Sequence, residues 1–458
     1  MRHPFKELRD LAGAFRLHRL FQRIERGTAA DLAAYQEDRL RLVVRHAATH
    51  SPYYRDLCSH LDLSGAFSLR DLPITGKREM MENFDQWVTD PRLRLADLER
   101  QIATDPGEEY FLGEYRIAST SGSSGLRGIF VYDRAEWQVV IAAALRWAEM
   151  FGVSPFELSH KRLASIKADK PSHPTSRLGQ SMRLGLRNLL LLDATAPLDE
   201  IVRGLNDYQP ELLMGYASVI SLLAIEQIEG RLKIAPDMVA TFSEMLGEER
   251  VDRARRAWGV TPFNHYGAAE QITIAADCER HEGLHHFADM SIIEIVDENN
   301  DPVPPGAPGH RVLLTNLHKF VQPIIRYELT DLITQSPLSC PCGRPFPVLA
   351  EIGGRTEDVI AFRAADGEPV RVPPLVIHIA IAQNPDVTEY QYSAAPDWLL
   401  VRVVPRGSAD RVRLADALRS SVASALGRLG VTEIRVEVEI VERIARSGDM
   451  MGKVKVRV

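Results

Sequence analysis

The stretch "TSGSSGLRGIFVYDRAEWQVV", Thr120 to Val140, joins a loop rich in serine and glycine to a β-forming run and then a helix-forming run. A P-loop or a dinucleotide-binding turn opens directly into a helix, because the helix N-terminus supplies amide donors to the phosphates. Here "IFVYD" comes first and the helix begins only near Ala135, so both of these motifs are excluded. A loop between two strands can still hold phosphate oxygens with amides and hydroxyls. A mobile linker fits the same composition.

Around this stretch, short β-forming runs alternate with helical segments to about residue 350. The runs include "LLLLDA", "MVATFS", "SIIEIVD" and "RVLLTNL". Such alternation predicts an α/β domain whose sheets are covered by helices. Before it, residues 1 to about 85 are predicted to be mostly helical, since "DLAAYQEDRLRLVVRHAATH" has helical apolar spacing and ends at a proline.

The pattern changes after "GGRTED", Gly353 to Asp358. The runs "EYQYSAAPDWLLVRVV" and "TEIRVEVEIVE" predict strands, and "ADRVRLADALRSSVASALGRLG" predicts a helix closed by glycine. About a hundred residues of this kind form a small α+β domain. We therefore predict a large N-terminal domain over residues 1–353 and a small C-terminal domain over residues 354–458.

Composition excludes several classes of protein. The chain of 458 residues carries a formal net charge of −7, which provides no basic surface for nucleic acid. It contains no apolar run long enough to span a membrane, and its charged N-terminus lacks the core of a secretory signal. Four cysteines in so long a chain do not form a disulfide framework. We expect a cytoplasmic protein, and the sequence leaves its oligomeric state open, with a homodimer as one alternative.

Five short motifs follow one another along the chain. They are "TSGSSGLRG" at Thr120–Gly128, which we call the glycine loop, "NHYGAAE" at Asn264–Glu270, "RYELTDL" at Arg326–Leu332, "GGRTED", and the C-terminal "RSGDMMGKVKVRV". In this order the chain resembles the adenylate-forming superfamily of acyl- and aryl-CoA ligases. The N-terminal patterns "HAATHSPYYRDL" and "LRDLPITGKREMMENF" are similar to its phenylacetate–CoA ligase-like branch. The resemblance implies an α/β adenylation domain followed by a small, mobile α+β lid domain.

The resemblance also implies a reaction. Enzymes of this superfamily join a carboxylic acid, here expected to be aromatic, to the AMP of ATP with loss of pyrophosphate in the presence of Mg²⁺. They then pass the acyl group to a thiol, most simply that of CoA. Two alternatives stay open: transfer to an amine, a carrier protein or a cofactor, and a degenerate nucleotide-binding member with a regulatory or scaffolding role.

Nucleotide-binding residues are implied by the positions that match the family motifs. The phosphate loop matches at Ser121, Gly122, Ser123, Ser124 and Gly125. Arg127 stands near the place of the usual loop lysine, as a planar fork rather than a point charge. Adenine and ribose contacts match at Tyr266, Gly267, Ala268 and Asp331, with a looser match at Ser243 and Glu244.

Catalytic roles are implied for three residues. Glu270 matches the carboxylate that holds Mg²⁺, a cation that prefers oxygen ligands. It follows Ala269, where the family usually has a hydroxyl residue, so one hydrogen bond of about 1 kcal/mol is expected to be missing. Arg355 matches an arginine that contacts ribose or phosphate, and Lys453 matches the lysine that bridges acid and α-phosphate. Without the resemblance, these two basic residues would be assigned to a charged linker and a basic tail.

Two further positions complete the assignment. Glu357 falls at the hinge about which the small domain rotates between the half-reactions. The acid pocket is predicted to include Tyr216, Ala217 and His265, although pocket residues vary freely within one fold.

A metal site is predicted from the cysteines alone. "CERH" places Cys278 three residues before His281, and "CPC" contributes Cys340 and Cys342. Three thiolates and one imidazole complete a tetrahedral structural zinc site. His285 or His286 is an alternative fourth ligand, and three free thiols in a reduced cytosol are the alternative to any metal.

Overall fold

A computed structural model describes residues 4–63, 65, 67–104, 110–120, 127–167, 174–182, 188–355, 359–364, 368–407 and 409–444. The helices are α1 Pro4–Glu25, α2 Ala29–His50, α3 Pro52–Leu57, α4 Lys77–Glu82, α5 Phe84–Trp87, α6 Leu95–Thr104, α7 Arg134–Met150, α8 Pro155–His160, α9 Pro174–Met182, α10 Leu198–Tyr208, α11 Ala217–Ile228, α12 Glu248–Trp258, α13 Pro374–Ala382 and α14 Arg411–Gly427.

The strands are β1 Arg116–Ser119, β2 Ile129–Tyr132, β3 Leu163–Lys167, β4 Leu189–Asp193, β5 Leu212–Tyr216, β6 Met238–Phe242, β7 Phe263–Tyr266, β8 Ala275–Ala276, β9 Leu284–His286, β10 Ser291–Val296, β11 Arg311–Asn316, β12 Tyr327–Leu329, β13 Asp331–Gln335, β14 Val348–Arg355, β15 Ile360–Arg363, β16 Pro369–Val372, β17 Val387–Ala395, β18 Trp398–Pro405 and β19 Arg435–Ile440. The predicted α/β class is confirmed by this mixture of helices and sheets, and the N-terminal segment is helical as expected.

The elements from α1 to β14 form a large unit. Its centre is a nine-stranded sheet with the order β13-β14-β9-β8-β7-β6-β5-β3-β4. Strands β4, β3, β5, β6 and β7 run parallel, and the strands from β7 to β13 pair antiparallel. Runs such as "LLMGY" and "MVATF" are apolar on both faces because parallel strands are covered by helices on both sides. Two smaller sheets, β1-β2 and β10-β11-β12, complete this unit.

A buried ion pair in the large unit contacts the N-terminal helix α1, whose Glu25 carboxylate lies 3.5 Å from Nε of Arg146. Arg146 of α7 donates to both carboxylate oxygens of Asp289 at 2.8 and 2.6 Å, and both side chains are fully buried. The Arg146 guanidinium also lies about 5 Å from the centres of three aromatic rings, Phe21 of α1, Phe287 and Phe346. Burial opposes the charge, but the facing Asp289 raises the pKa of Arg146 overall. Helix α1 is therefore an integral part of the domain.

The C-terminal residues build a second hydrophobic core. It includes Ile360, Phe362, Ile377, Leu418 and Val422, whereas among the described residues the buried members of the first core end at Leu349. Its three-stranded sheet has the order β17-β18-β19, with β18 and β19 parallel.

The two units meet at helix α12, which belongs to the large one. Arg253 of α12 donates to the carbonyl of Thr388 at 3.2 Å and to that of Val387. Glu249 lies 3.4 Å from the Nε2 atom of His378 on α13. We refer to these two interactions as the α12 contact.

No helix in the described part of the chain is both long and apolar enough to cross a bilayer.

Candidate functional site

Several predicted residues meet at one edge of the nine-stranded sheet. Tyr216, Ser243 and Tyr266 lie at or directly after the carboxyl ends of the parallel strands β5, β6 and β7. Asp331 begins β13 and Arg355 ends β14, and these two residues are paired across the strands. Open α/β sheets bind ligands outside the carboxyl ends of their strands. This edge is therefore the candidate active site.

Asp331 is the centre of a three-residue cluster. One of its oxygens accepts a hydrogen bond from the Tyr266 hydroxyl at 2.7 Å, and the other lies 3.5 Å from Nε of Arg355. Burial, followed by the charge of Asp331, raises the pKa of Tyr266 well above its usual value. The tyrosine thus remains a neutral donor that fixes the orientation of the carboxylate. These three residues span 90 positions of the sequence, yet one hydrogen bond and one ion pair join them in the fold.

Glu270 lies buried in the same region. Burial raises the pKa of its carboxyl, while the positive charges of Lys77 and Arg355 lower it. The preceding residue, Ala269, offers no side-chain hydroxyl, but its carbonyl accepts a hydrogen bond from the Tyr132 hydroxyl at 2.7 Å. The peptide segment before Glu270 is therefore tied to strand β2, which follows the glycine loop.

The turn between Tyr266 and Glu270 requires glycine at its first position. A Cβ atom on Gly267 would lie 1.9 Å from the carbonyl oxygen of Ile272. The next amide, that of Ala268, donates to the carbonyl of Gln271 at 2.9 Å and closes the turn. This close approach of two backbone segments is the physical reason for the glycine in "HYGAAE".

The glycine loop connects two antiparallel strands. Its base is closed by hydrogen bonds in both directions between Thr120 and Gly128, at 3.0 and 2.8 Å. Arg127 donates to the hydroxyl of Ser119 at 2.9 Å. The predicted phosphate-binding residues 121–125 lie outside the described residues, as do the predicted hinge Glu357 and the catalytic candidate Lys453.

Lys77 is a site residue that the sequence analysis did not single out. It is the first residue of α4, and its Cε atom lies 3.1 Å from the position of a Cβ atom on Gly128. Its charge also acts on Glu270. The motif "PITGKREMM" contained the residue, but only the fold shows that a segment fifty positions before the loop returns to its base.

Other predicted residues have structural partners. The carboxylate of Glu244 accepts from the amide of Ser218 at 2.7 Å and thereby caps helix α11. Ser243, directly before it, adopts a left-handed backbone with φ of 64°.

The three residues predicted for the acid pocket lie in different surroundings. Tyr216 and Ala217 are fully buried, and the Tyr216 ring packs edge-on against Phe242. His265 bonds through Nε2 to the hydroxyl of Thr273 at 3.1 Å, and burial lowers its pKa to about 4. His265 thus contacts the segment that follows Glu270.

The cysteine cluster forms with a different histidine from the one first predicted. The potential ligand atoms of Cys278, His285, Cys340 and Cys342 all lie within 4.8 Å of one another. His281 instead directs its Nδ1 atom to Asp277 at 2.6 Å from a turn with φ of 54°. The prediction of His281 is therefore corrected to the alternative, His285. Side chains of a strand point alternately to opposite faces, and on β9 the side chain of His285 lies on the face toward the thiols.

Comparisons with known proteins complete the description of the site. No protein-family model matches the chain. Phenylacetate-coenzyme A ligase of Thermus thermophilus is 25% identical over 363 residues, 76% of each chain. The enzyme of the same name from Aromatoleum evansii is 23% identical over 464 residues, 94% of this chain and 95% of its own.

Solved structures resemble the whole chain. A 2-hydroxyisobutyryl-CoA ligase in its postadenylation state gives a TM-score of 0.74 at 23% identity, covering 95% of this chain and 91% of that one. The same enzyme in its thioesterification state gives a TM-score of 0.59 over the same shares of both chains. The fold at the candidate site is thus that of these enzymes.

Proposed function

We propose that the chain, which is similar to phenylacetate-coenzyme A ligases over most of its length and has the fold of an acyl-CoA ligase, is an adenylate-forming enzyme of that branch and activates a carboxylic acid with ATP. The carboxylate attacks the α-phosphorus, an acyl-adenylate forms, and the bond to pyrophosphate breaks. A thiol, that of coenzyme A, then attacks the acyl carbon and AMP leaves. The observation that carries this proposal is the junction of Asp331, Tyr266 and Arg355 beside the buried Glu270.

Asp331 is the proposed ribose ligand. A carboxylate accepts hydrogen bonds from two neighbouring hydroxyls, and Tyr266 holds it in place from the other side. Arg355 is half exposed, so its guanidinium can turn from Asp331 to a phosphate when nucleotide enters. In this proposal Tyr266 orients Asp331 in addition to packing on the base.

Two cations lie at the base of the loop proposed to bind phosphate. Lys77 and Arg127 lie at the base of the glycine loop, which lacks the lysine that the family often places there. Preorganised positive charges stabilise the charge that develops as pyrophosphate departs. Lys453, implied by the resemblance alone, would act on the α-phosphate from the C-terminal segment.

Glu270 fits the role of a magnesium ligand because it is a buried carboxylate, and Mg²⁺ prefers oxygen ligands. Magnesium, when bound, would neutralise the phosphate charge. The chain itself supplies the carboxylate and fixes it through the hydrogen bond between Tyr132 and the Ala269 carbonyl.

The small C-terminal unit is the proposed lid. Its separate hydrophobic core lets it rotate as one body about the predicted hinge at Glu357. The α12 contact would then be made in one orientation and broken in the other.

A structural zinc ion is the second part of the proposal. Around a tetrahedral zinc, two sulfur ligands lie about 3.8 Å apart and a sulfur and a nitrogen about 3.5 Å apart. The Sγ atoms of Cys278 and Cys340 are 3.8 Å apart, and Cys342 Sγ lies 3.5 Å from Nε2 of His285. The four donors therefore fit zinc, which would join the β8–β9 hairpin to the turn before β14.

The activity is tested by pyrophosphate release from Mg-ATP with a panel of aromatic and aliphatic acids, each with and without CoA. We expect release that depends on one acid and is stimulated by CoA. Asp331→Asn should lower it at least 100-fold, whereas Asp297→Asn, in the exposed β10–β11 turn, should have no effect. ATP binding without release for any acid would favour a non-catalytic role. Release that CoA leaves unchanged would redirect the search to amine or carrier-protein acceptors.

The zinc site is tested by metal analysis of protein purified without added metal. About one zinc per chain is expected, and it should be lost in His285→Ala but kept in His281→Ala, since the two histidines differ in their distance from the thiols. Equal zinc content in both variants would refute the assignment of His285. Absence of zinc from the wild type would refute the site.

A further inference from the structure

A small cavity of about 30 Å³ lies beside the segment that follows Glu270. Residues Gln271, Ile272 and Thr273 form one wall, and Tyr132, whose hydroxyl binds the Ala269 carbonyl, forms another. The remaining lining comes from helix α7, Met290 and the segment 316–319. A cavity of this size holds one small chemical group. His265, predicted for the acid pocket, bonds to Thr273 of this lining, and we therefore take the cavity as the inner end of that pocket.

The lining of this cavity is mostly apolar but includes two charged side chains. Glu136 and Lys319 both line it, and their charges face each other at 3.9 Å. Glu136 also accepts from the amides of Phe320 and Val321 at 2.6 and 2.7 Å, and Lys319 donates to the carbonyl of Val131 at 2.5 Å. These two charges are therefore already satisfied by protein groups.

The side-chain Oε1 atom of Gln271 has no hydrogen-bond partner in the described part of the chain. The Nε2 atom of the same side chain donates to the carbonyl of Thr273 and to the hydroxyl of Ser291, both at 3.0 Å. Because a carbonyl can only accept, this contact fixes the orientation of the amide. The Oε1 atom is then buried with no hydrogen-bond partner among the described residues, and the side chain as a whole is 94% buried.

A buried acceptor without a donor is costly and uncommon. We propose that the acid substrate carries a hydroxyl group that donates to Oε1 of Gln271, so that the enzyme selects hydroxylated acids over their deoxy analogues. A neutral donor fits because the charged groups in the same lining already neutralise each other. This inference rests on the proposed function and names the class of acid at that site.

Matched pairs of acids test it. The specificity constant kcat/KM for pyrophosphate release is measured with phenylacetate against its 3- and 4-hydroxy derivatives, and with isobutyrate against 2-hydroxyisobutyrate. In at least one pair we expect the hydroxylated acid to be preferred about tenfold or more, as for other sites that bond a substrate hydroxyl.

Variants of Gln271 separate recognition from folding. Gln271→Leu removes the acceptor, so the preference should fall to within about threefold. Gln271→Glu keeps an acceptor at that position and should keep the preference. Ser291→Ala is the matched control, since it removes a hydrogen-bond partner of Gln271 Nε2 and of His286 but leaves the Oε1 acceptor in place.

Each other outcome overturns the inference. Pyrophosphate release with equal or better use of the deoxy acids refutes hydroxyl recognition while the proposed function stands. A preference that survives in folded Gln271→Leu refutes the role of Gln271. Release with no acid of either kind refutes the proposed function, and this inference with it.

Discussion

Replacing Arg253 by methionine should change the rate of adenylation relative to the rate of acyl transfer to CoA. The Arg253 guanidinium donates to two carbonyls of strand β17 in the small unit and to the Ser221 hydroxyl within the large unit at 3.0 Å. Methionine keeps most of the apolar stem and removes every one of these donors. The substitution therefore weakens the orientation of the small unit that is seen here.

The size of the effect follows from these contacts. Hydrogen bonds from a charged donor contribute about 1.5–3 kcal/mol each, and water can replace part of this at a domain boundary. We take about 2 kcal/mol for the two bonds to β17, which corresponds to a shift of about 30-fold in the population of this orientation. We propose that this orientation serves adenylation, in line with the TM-score of 0.74 to a solved ligase in its postadenylation state against 0.59 in its thioesterification state. We therefore expect adenylation to be the half-reaction that slows.

The assay measures the two half-reactions separately. Isotope exchange between pyrophosphate and ATP reports adenylation, and single-turnover transfer from preformed acyl-adenylate to CoA reports the second step. Arg253→Met should slow exchange between about 3- and 30-fold, with transfer unchanged or faster. Ser221→Ala removes only the contact within the large unit and should affect neither step. Equal slowing of both steps, in a variant that melts normally, would refute the reasoning.

Three other perturbations have defined outcomes. Tyr266→Phe removes the hydrogen bond to Asp331, so the KM for ATP should rise about tenfold, measured by steady-state kinetics. Gly267→Ala places a Cβ against the carbonyl of Ile272 and should lower both the melting temperature and adenylation; unchanged melting would contradict the steric argument. Burial lowers the pKa of His265, His286 and His318 to about 4. Below pH 6.5 the unfolded chain binds protons that the folded one does not, so each histidine should remove about 1.4 kcal/mol of unfolding free energy per pH unit down to pH 4, measured by urea denaturation.

The local sequence determined much of the fold and the chemistry. The run "IFVYD" after the glycine loop specified a strand, which excluded the two common nucleotide motifs, and β2 occupies that position. Apolar runs without alternation predicted buried parallel strands, and β5 and β6 are of that kind. Such patterns depend on neighbours within a few residues, so they can be interpreted without knowing the fold.

Only the tertiary structure decided which distant side chains meet. Lys77 reaches the base of the loop because α4 packs there, and no periodicity indicates that contact. His285 rather than His281 joins the cysteines because residues of a strand point alternately to opposite faces: His285 faces the thiols, and His286 faces Ser291. The free acceptor of Gln271 likewise exists only because the fold fixes its amide. Local propensity acts over a few residues, whereas these assignments depend on how strands pair and helices pack across the whole chain.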